Sequence, residues 1–387
     1  MKEQFASHLV SNFPFLKDKK LLVAISGGMD SVVLTHLLHG LGYAISLAHC
    51  NFQLRDQASD LDEKFVVSLG EKLQIPKYTI QFDTVKYCKK NKVSTQIGAR
   101  ELRYTWFSEL LALHGLDYVV TAHHANDNLE TFLINLTRGT GLDGLSGIPA
   151  LNGNIVRPLL FFSREQIKNY ALSYDLSWRE DASNTDTKYL RNKIRHTIIP
   201  ILQEMNPSML QSFTKSLYFI EQSKQIIKDR IEEVEPSIIS RNADSISFKI
   251  SALKKLSDPS AYLYQFLKGY GFKEWNDVYN LMNATTGKFL KTKSHTLLKD
   301  RDFLLLLPTH KLYSNDSQVF KITESDVVVE EPIRLMVKNV QKLASLSKNT
   351  IYVDKNLLNY PLSIRKWSDG DYFFPKGMLG KKRSISI

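Results

Sequence analysis

The sequence predicts an α/β protein: a doubly wound parallel sheet in the N-terminal half, then a helical middle domain and a small β-rich C-terminal module. Three observations lead there. Short apolar stretches alternate with segments of helical period as far as about residue 160. The first apolar stretch runs straight into a glycine turn, "SGGMDS", and then into a helical pattern. After about residue 205 the alternation stops and the texture changes.

The expected strands are "LLVAIS" from Leu21, "AISLAHC" from Ala44, "KYTIQF" from Lys77, "DYVVTAHH" from Asp117 and "NIVRPLL" from Asn154. Near-continuous apolar strands suit a parallel sheet covered on both faces. Between them, "DSVVLTHLLHGLG", "DQASDLDEKFVVSLGEKLQ", "STQIGARELRYTWFSELLALHG" and "NDNLETFLINLTRG" carry the helical period. In such sheets ligands bind at the carboxyl ends of the strands. The turns at Ser26, His49 and His123 are therefore expected to open onto one crevice. Further on, "PSMLQSFTKSLYFIEQSKQIIKDRIEEVE" reads as one long amphipathic helix. The expected divisions are residues 1–205, a linker helix over 206–235, a mainly helical domain over 236–310 and a terminal module over 311–387. In that module "VFKIT", "IRLMVKN" and "TIYVDKNLL" read as short strands.

Composition narrows the class. No apolar run is long enough to span a membrane, and the first twenty residues lack the continuous apolar core of a secretory signal. Cys50 and Cys88 are isolated, which excludes a disulfide framework and fits a reducing, cytoplasmic setting. A formal charge of +11 suits a polyanionic partner.

The glycine turn holds the first chemistry. Backbone N–H groups at a glycine-rich helix start form a concave phosphate site, and glycines let the oxygens approach closely. Ser26 and Ser31 add hydroxyl donors. Asp30 would repel a phosphate unless a cation lies between them, so the carboxylate implies a nucleotide bound with Mg²⁺. The turn is neither the Walker loop, which needs its lysine, nor the dinucleotide fingerprint. A plain Asp-capped helix start would look similar.

S-G-G-x-D-S after an apolar strand resembles the loop of ATP-dependent adenylating enzymes, which cleave ATP between the α and β phosphates. Four more stretches resemble the tRNA(Ile)-lysidine synthetases: "AHCNFQLRDQASDLDEKFV" from Ala48, "GARELRY" from Gly98, "TAHHANDNLETFLINLTRGTGLDGLSGIP" from Thr121 and "WREDASNTDTKYLRNKIRHTIIPIL" from Trp178. The resemblance implies ATP-dependent adenylation of the wobble cytidine in a CAU-anticodon isoleucine tRNA. Free L-lysine then displaces AMP. The family also implies that residues 236–310 bind tRNA, and a homodimer is compatible with it.

On that resemblance, Ser26, Gly27, Gly28, Met29, Asp30 and Ser31 bind ATP, and Asp30 holds the metal. Arg100 and Arg103, three apart on a helix, are expected to face the same way, Arg100 toward the α-phosphate and Arg103 toward tRNA. His123, Asp127 and Glu130 are expected to hold the lysine ammonium and accept its proton; helix capping by Asn126 or Asp127 is the plainer reading of that junction. Family members mostly carry two acids where this chain has Asn126-Asp127, so the carboxylate duty falls on Asp127. Arg191, Asn192 and Arg195, with Lys188, Lys193 and His196 nearby, are expected to grip anticodon-loop phosphates, with ordinary surface charge as the alternative. Relatives usually continue past the Gly-Lys-Lys near this chain's end, which predicts a shortened module and weaker tRNA binding. The nearest alternative is another tRNA modifier with this loop, such as a cytidine thiolase, but those enzymes typically use paired or catalytic cysteines. A catalytically dead RNA adaptor would not need Asp30, Asp127 and Glu130 intact.

Overall fold

The computed structural model describes residues 1–55, 57–180, 190–309, 319–330, 333–341, 349–365, 371–373 and 383–384. It divides into two compact units, Met1–Ile226 and Ile227–Ile387.

The first unit is built on a six-stranded sheet: β1 (Lys20–Ala24), β2 (Ala44–Asn51), β3 (Lys77–Gln81), β4 (Tyr118–Val120), β5 (Leu151–Asn152) and β6 (Ile155–Val156). Their order is β3-β2-β1-β4-β6-β5, and only the β5–β6 pair is antiparallel. The helices are α1 (Lys2–Asn12), α2 (Met29–Gly40), α3 (Gln57–Lys72), α4 (Thr84–Asn91), α5 (Thr95–His114), α6 (Ala125–Arg138), α7 (Leu142–Leu145) and α8 (Arg164–Ser173). Side chains alternate across β1. Leu21 and Val23 join one core with Val33, Leu34 and Leu37 of α2. Leu22 and Ala24 join the other with Trp106, Phe107, Leu110 and Leu111 of α5. Covering both faces requires every β1 position after the exposed Lys20 to be apolar or small, and so Leu21 to Ala24 read as an unbroken run.

Local chemistry sets the ends of α5. The Ser94 hydroxyl accepts from the Ile97 N–H at 3.3 Å, and Gly115 closes the helix in the left-handed conformation. Helix α4 was not expected from its polar sequence; the Asp83 carboxylate starts it by accepting from the Lys86 N–H at 2.9 Å. "NIVRPLL" is a strand only over Ile155–Val156, because Pro158 has no N–H and begins a 3₁₀ turn instead.

Residues 181–189, which include Lys188, lie outside the described residues. After them the chain is helical: α9 (Leu190–Lys193), a π-helical segment (Ile194–Ile198) and α10 (Ile199–Met205). Ile194 and Ile199 are both buried in a cluster with Leu129 of α6. Residues five apart do not share a face of a regular α-helix, and the wide turn brings them to one side. The long helix α11 (Met209–Ile238) contributes residues to both units.

The second unit contains β7 (Ile239–Arg241), β8 (Ile246–Lys249), α12 (Ile250–Leu253), α13 (Pro259–Leu267), α14 (Trp275–Asn280), β9 (Phe289–Lys291), β10 (His295–Asp300) and β11 (Phe303–Pro308). Helices are only part of residues 236–310. The basic stretch from Gly287 forms β9 to β11 of an antiparallel sheet ordered β7-β8-β11-β10-β9. Leu297, Leu304 and Leu306 turn into its core with Phe248, Leu263 and Val278. Beyond it, short antiparallel pairs join Phe320–Ile322 to Leu362–Ile364 and Val328–Val329 to Leu335–Met336. "TIYVDKNLL" is not a strand; its last residues form the 3₁₀ turn Lys355–Leu357, started by the Asp354 side chain.

Candidate active site

The carboxyl ends of β1, β2 and β4 open onto one crevice of about 920 Å³. Ser26, Gly28, Asp30 and Ser31 line it from the first turn, His49 to Phe52 from the second, and Thr121 to His123 with Asp127 from the third. The first half of α5 supplies Arg100, Arg103 and Tyr104, and Arg191 completes the lining.

The glycine turn is pre-shaped. Gly27 sits at φ +91°, where a side chain would strain the backbone. Its carbonyl accepts from the Arg179 N–H at 2.9 Å. The Ser31 hydroxyl donates to the Gly28 carbonyl at 2.9 Å and accepts from the Ser26 N–H at 3.3 Å. Gly28 caps α2 without a side chain, so the first-turn N–H groups face the crevice uncovered. The Asp62 carboxylate braces the rim, pairing with Arg55 at 2.9 Å and Arg179 at 3.0 Å.

Asp30 also fits a cation. Its Oδ1 is buried with no hydrogen-bond partner, which is costly for a carboxylate oxygen that no cation satisfies. Among the described residues, no group of three or more His, Cys, Asp or Glu side chains is placed to hold a metal. A single carboxylate beside a phosphate cradle suits Mg²⁺ that arrives with the nucleotide and keeps most of its phosphate and water ligands.

The third turn carries the other half of the site. Helix α6 begins at Ala125, capped by His124 rather than by Asn126 or Asp127. His124 Nδ1 accepts from the Asp127 N–H at 3.3 Å, and the Asp127 carboxylate accepts from the His124 N–H at 3.1 Å. The other ring nitrogen of His124 lies 3.7 Å from Asp30 Oδ2. His124 thus joins the phosphate turn to α6, a role hidden in the sequence because histidine is not a usual cap. Burial works against its charge, but the neighbouring Asp30, Asp127 and Glu130 carboxylates outweigh that and raise its pKa. Burial also opposes the charge on Asp127, yet His124, the His124 N–H, His123 and Arg195 together lower its pKa, so it is ionised at neutral pH. His123 goes the other way: burial pushes its pKa down to about 4, with Arg157 and Arg191 adding to the effect against Asp127. Its Nδ1 is 2.9 Å from the Thr121 hydroxyl.

Glu130 is 1% exposed. Arg195 Nε donates to it at 2.6 Å and Nη2 at 3.0 Å, and Nη2 reaches Asp127 at 3.3 Å. Arg195 is therefore turned inward, held by charge-assisted hydrogen bonds to one buried and one half-buried carboxylate. Arg191 donates to the Thr131 hydroxyl at 2.7 Å and lies 3.5 Å from Glu130. Asn192 is half-buried beside them on α9. Asn126 accepts from the Arg164 N–H at 2.9 Å and so ties α6 to α8. On α5, Arg100 lies over the Tyr104 ring at 4.8 Å and Arg103 over Phe52 at 5.2 Å.

Cys50 lines the crevice, but burial pushes its thiol up to about 12, which leaves no thiolate for sulfur transfer. Cys88 is buried and packs against Gly98. Among the described residues no helix is long and apolar enough to cross a membrane.

A parallel sheet, an uncovered phosphate turn and an ionisable cluster at the same strand ends define a PP-loop enzyme, an ATP-using ligase. The PP-loop domain family matches residues 1–202, and the TilS substrate binding domain family matches residues 241–309. A tRNA(Ile)-lysidine synthase of Parabacteroides distasonis is 37% identical over 373 residues, covering 95% of this chain and 84% of that protein. The protein of the same name from Bacteroides thetaiotaomicron is 37% identical over 371 residues with the same coverage. That of Porphyromonas gingivalis strain W83 is 36% identical over 379 residues, covering 94% of this chain and 82% of that protein. The chain belongs to the tRNA(Ile)-lysidine synthase family.

Proposed function

We propose that the crevice joins L-lysine to the wobble cytidine of a CAU-anticodon isoleucine tRNA in two steps, at the residues described above. One observation carries this assignment: His124 connects the phosphate turn at Asp30 to the carboxylates of α6, so a nucleotide end and an amine end share one crevice.

In the first step the C2 oxygen of cytidine attacks the α-phosphate. A carbon-bound O–P bond forms, the bond to the β-phosphate breaks, and pyrophosphate leaves. Negative charge gathers on the α-phosphate oxygens as this happens, and preorganised donors stabilise it. The first-turn N–H groups of α2, the Ser26 and Ser31 hydroxyls and the Arg100 guanidinium are the donors at hand. Asp30 is the residue that would hold Mg²⁺, whose charge, when bound, offsets that of the phosphates.

In the second step the lysine Nζ attacks C2, the C2–O bond breaks and AMP leaves. An amine of pKa near 10.4 pays roughly 4–5 kcal/mol to become a free base at pH 7. Ionised Asp127 holds the ammonium and receives its proton. His123, neutral at working pH, accepts a hydrogen bond from the incoming amine. Glu130 works through Arg195, which holds both carboxylates in place. Arg103, Arg191 and Asn192 face the RNA.

The test is transfer of radiolabelled lysine into the isoleucine tRNA, with methionine tRNA and Asp30→Ala as controls. Label in the isoleucine tRNA alone, lost in the variant, is expected. Release of AMP with no lysine in the RNA would overturn the assignment of the nucleophile.

A further inference from the structure

We infer that Tyr104 is the platform on which the target base stacks, a reading that rests on the proposed lysidine reaction. Besides the imidazoles of His49 and His123, the rings of Phe52, Tyr104 and Phe107 line the crevice. Phe107 is 2% exposed and packed in the core beside Trp106. Phe52 already stacks on Phe82, with centroids 5.8 Å apart at 23°, and it follows the end of β2. The base must instead place C2 between the α-phosphate, at the turn after β1, and the amine, beside Asp127 after β4.

Tyr104 belongs to that side. Its phenol is an electrostatic neighbour of Arg157, the residue after β6, and β6 pairs with β4. Arg157 is 3% exposed, donates from Nη1 to the Pro149 carbonyl at 2.7 Å, and leaves Nε buried without a partner. The half-buried Tyr104 ring lines the crevice with Arg100 over it.

The chemistry uses such a ring. Adenylation at the C2 oxygen turns a neutral cytosine into a cation, and an aromatic face attracts a cation by its quadrupole. Arg100 occupies that face in the free chain. It cedes the face to the arriving base and turns to the α-phosphate, whose charge is growing. The ring is thereby reserved for the base, and the guanidinium for the phosphate.

The test places pyrrolocytidine, a fluorescent cytidine analogue, at the wobble position of the isoleucine tRNA. Stacking on the wild-type chain is expected to quench it. Tyr104→Leu should abolish the quench and lower kcat/KM for the RNA by about 5- to 100-fold, as loss of one base–aromatic stack does. Nucleotide affinity should stay within about twofold of wild type. Tyr104→Phe keeps the ring and should keep the quench, which separates stacking from any role of the hydroxyl. A quench that survives in the leucine variant overturns the proposal. So does a nucleotide affinity that falls in step with RNA affinity, since the ring would then hold adenine. A wild-type chain that quenches through Tyr104 but transfers no lysine would keep the stacking seat and sink the proposed reaction instead.

Discussion

Glu130 shows what a buried charge demands of its neighbours. Nearly sealed from solvent, it is satisfied by two hydrogen bonds from Arg195. Truncating it leaves a guanidinium facing Asp127 alone. Glu130→Ala should cost about 3 kcal/mol of stability, seen as a lower urea midpoint with unchanged slope. His123 gives a signed pH dependence. Its folded pKa of about 4 lies below the ordinary 6.5, so the unfolded chain binds the extra proton first. The neutral imidazole's contribution is complete above pH 6.5 and is lost as pH falls toward 4. Thermal melting of the wild type should therefore decline more steeply over that window than melting of His123→Asn; equal slopes would contradict the assignment. At this scale the phosphate turn was legible, since Ser26, Asp30 and Ser31 lie within six residues and their chemistry is local. The Arg195–Glu130 pair was not: its partners are 65 positions apart, and a basic helix read alone looks made for RNA. Arg157 was silent for the same reason, because only the fold reveals its burial.

Among the elements, α6 organises the site, and the loop after it is fastened to its flank. Asn128 Oδ1 accepts from the Ile148 N–H at 2.6 Å, and Asn135 donates to the Gly144 carbonyl at 2.9 Å. Gly147 sits at φ +70°, and a Cβ there would collide with the Asn128 amide. Gly147→Ala should cost about 1–3 kcal/mol from backbone strain alone. Its mark should be faster amide exchange over residues 139–150 with β1 and β2 unchanged. The parallel strands could be read ahead because burial on both faces writes long apolar runs. The strands β9 and β10 were missed because lysines interrupt their apolar residues, and only their pairing with each other and with β11 distinguishes them from a basic helical stretch. "NIVRPLL" was overread because its apolar character persists after Pro158 has ended the ladder.

For the molecule as a whole, the charge of +11 bears on RNA rather than on the fold. Each phosphate neutralised releases counterions, so tRNA affinity should fall with a log–log salt slope of about −0.7 to −0.9 per contact. Fluorescence anisotropy between 50 and 200 mM salt is expected to show a fall of at least about tenfold; a flat response would deny the basic surface any part in binding. The π-helical segment carries a different consequence. It amounts to one residue more than a regular α-helix needs. Deleting that residue would restore an uninterrupted ladder but rotate everything before it by about 100°, the angle one residue subtends on a helix. Arg191 would then swing off the Thr131 hydroxyl, and Ile194 would lose its place beside Leu129. The irregular turn behaves as a phase shifter: it gives up helical regularity to bring a basic face and an apolar face to bear on the same neighbour.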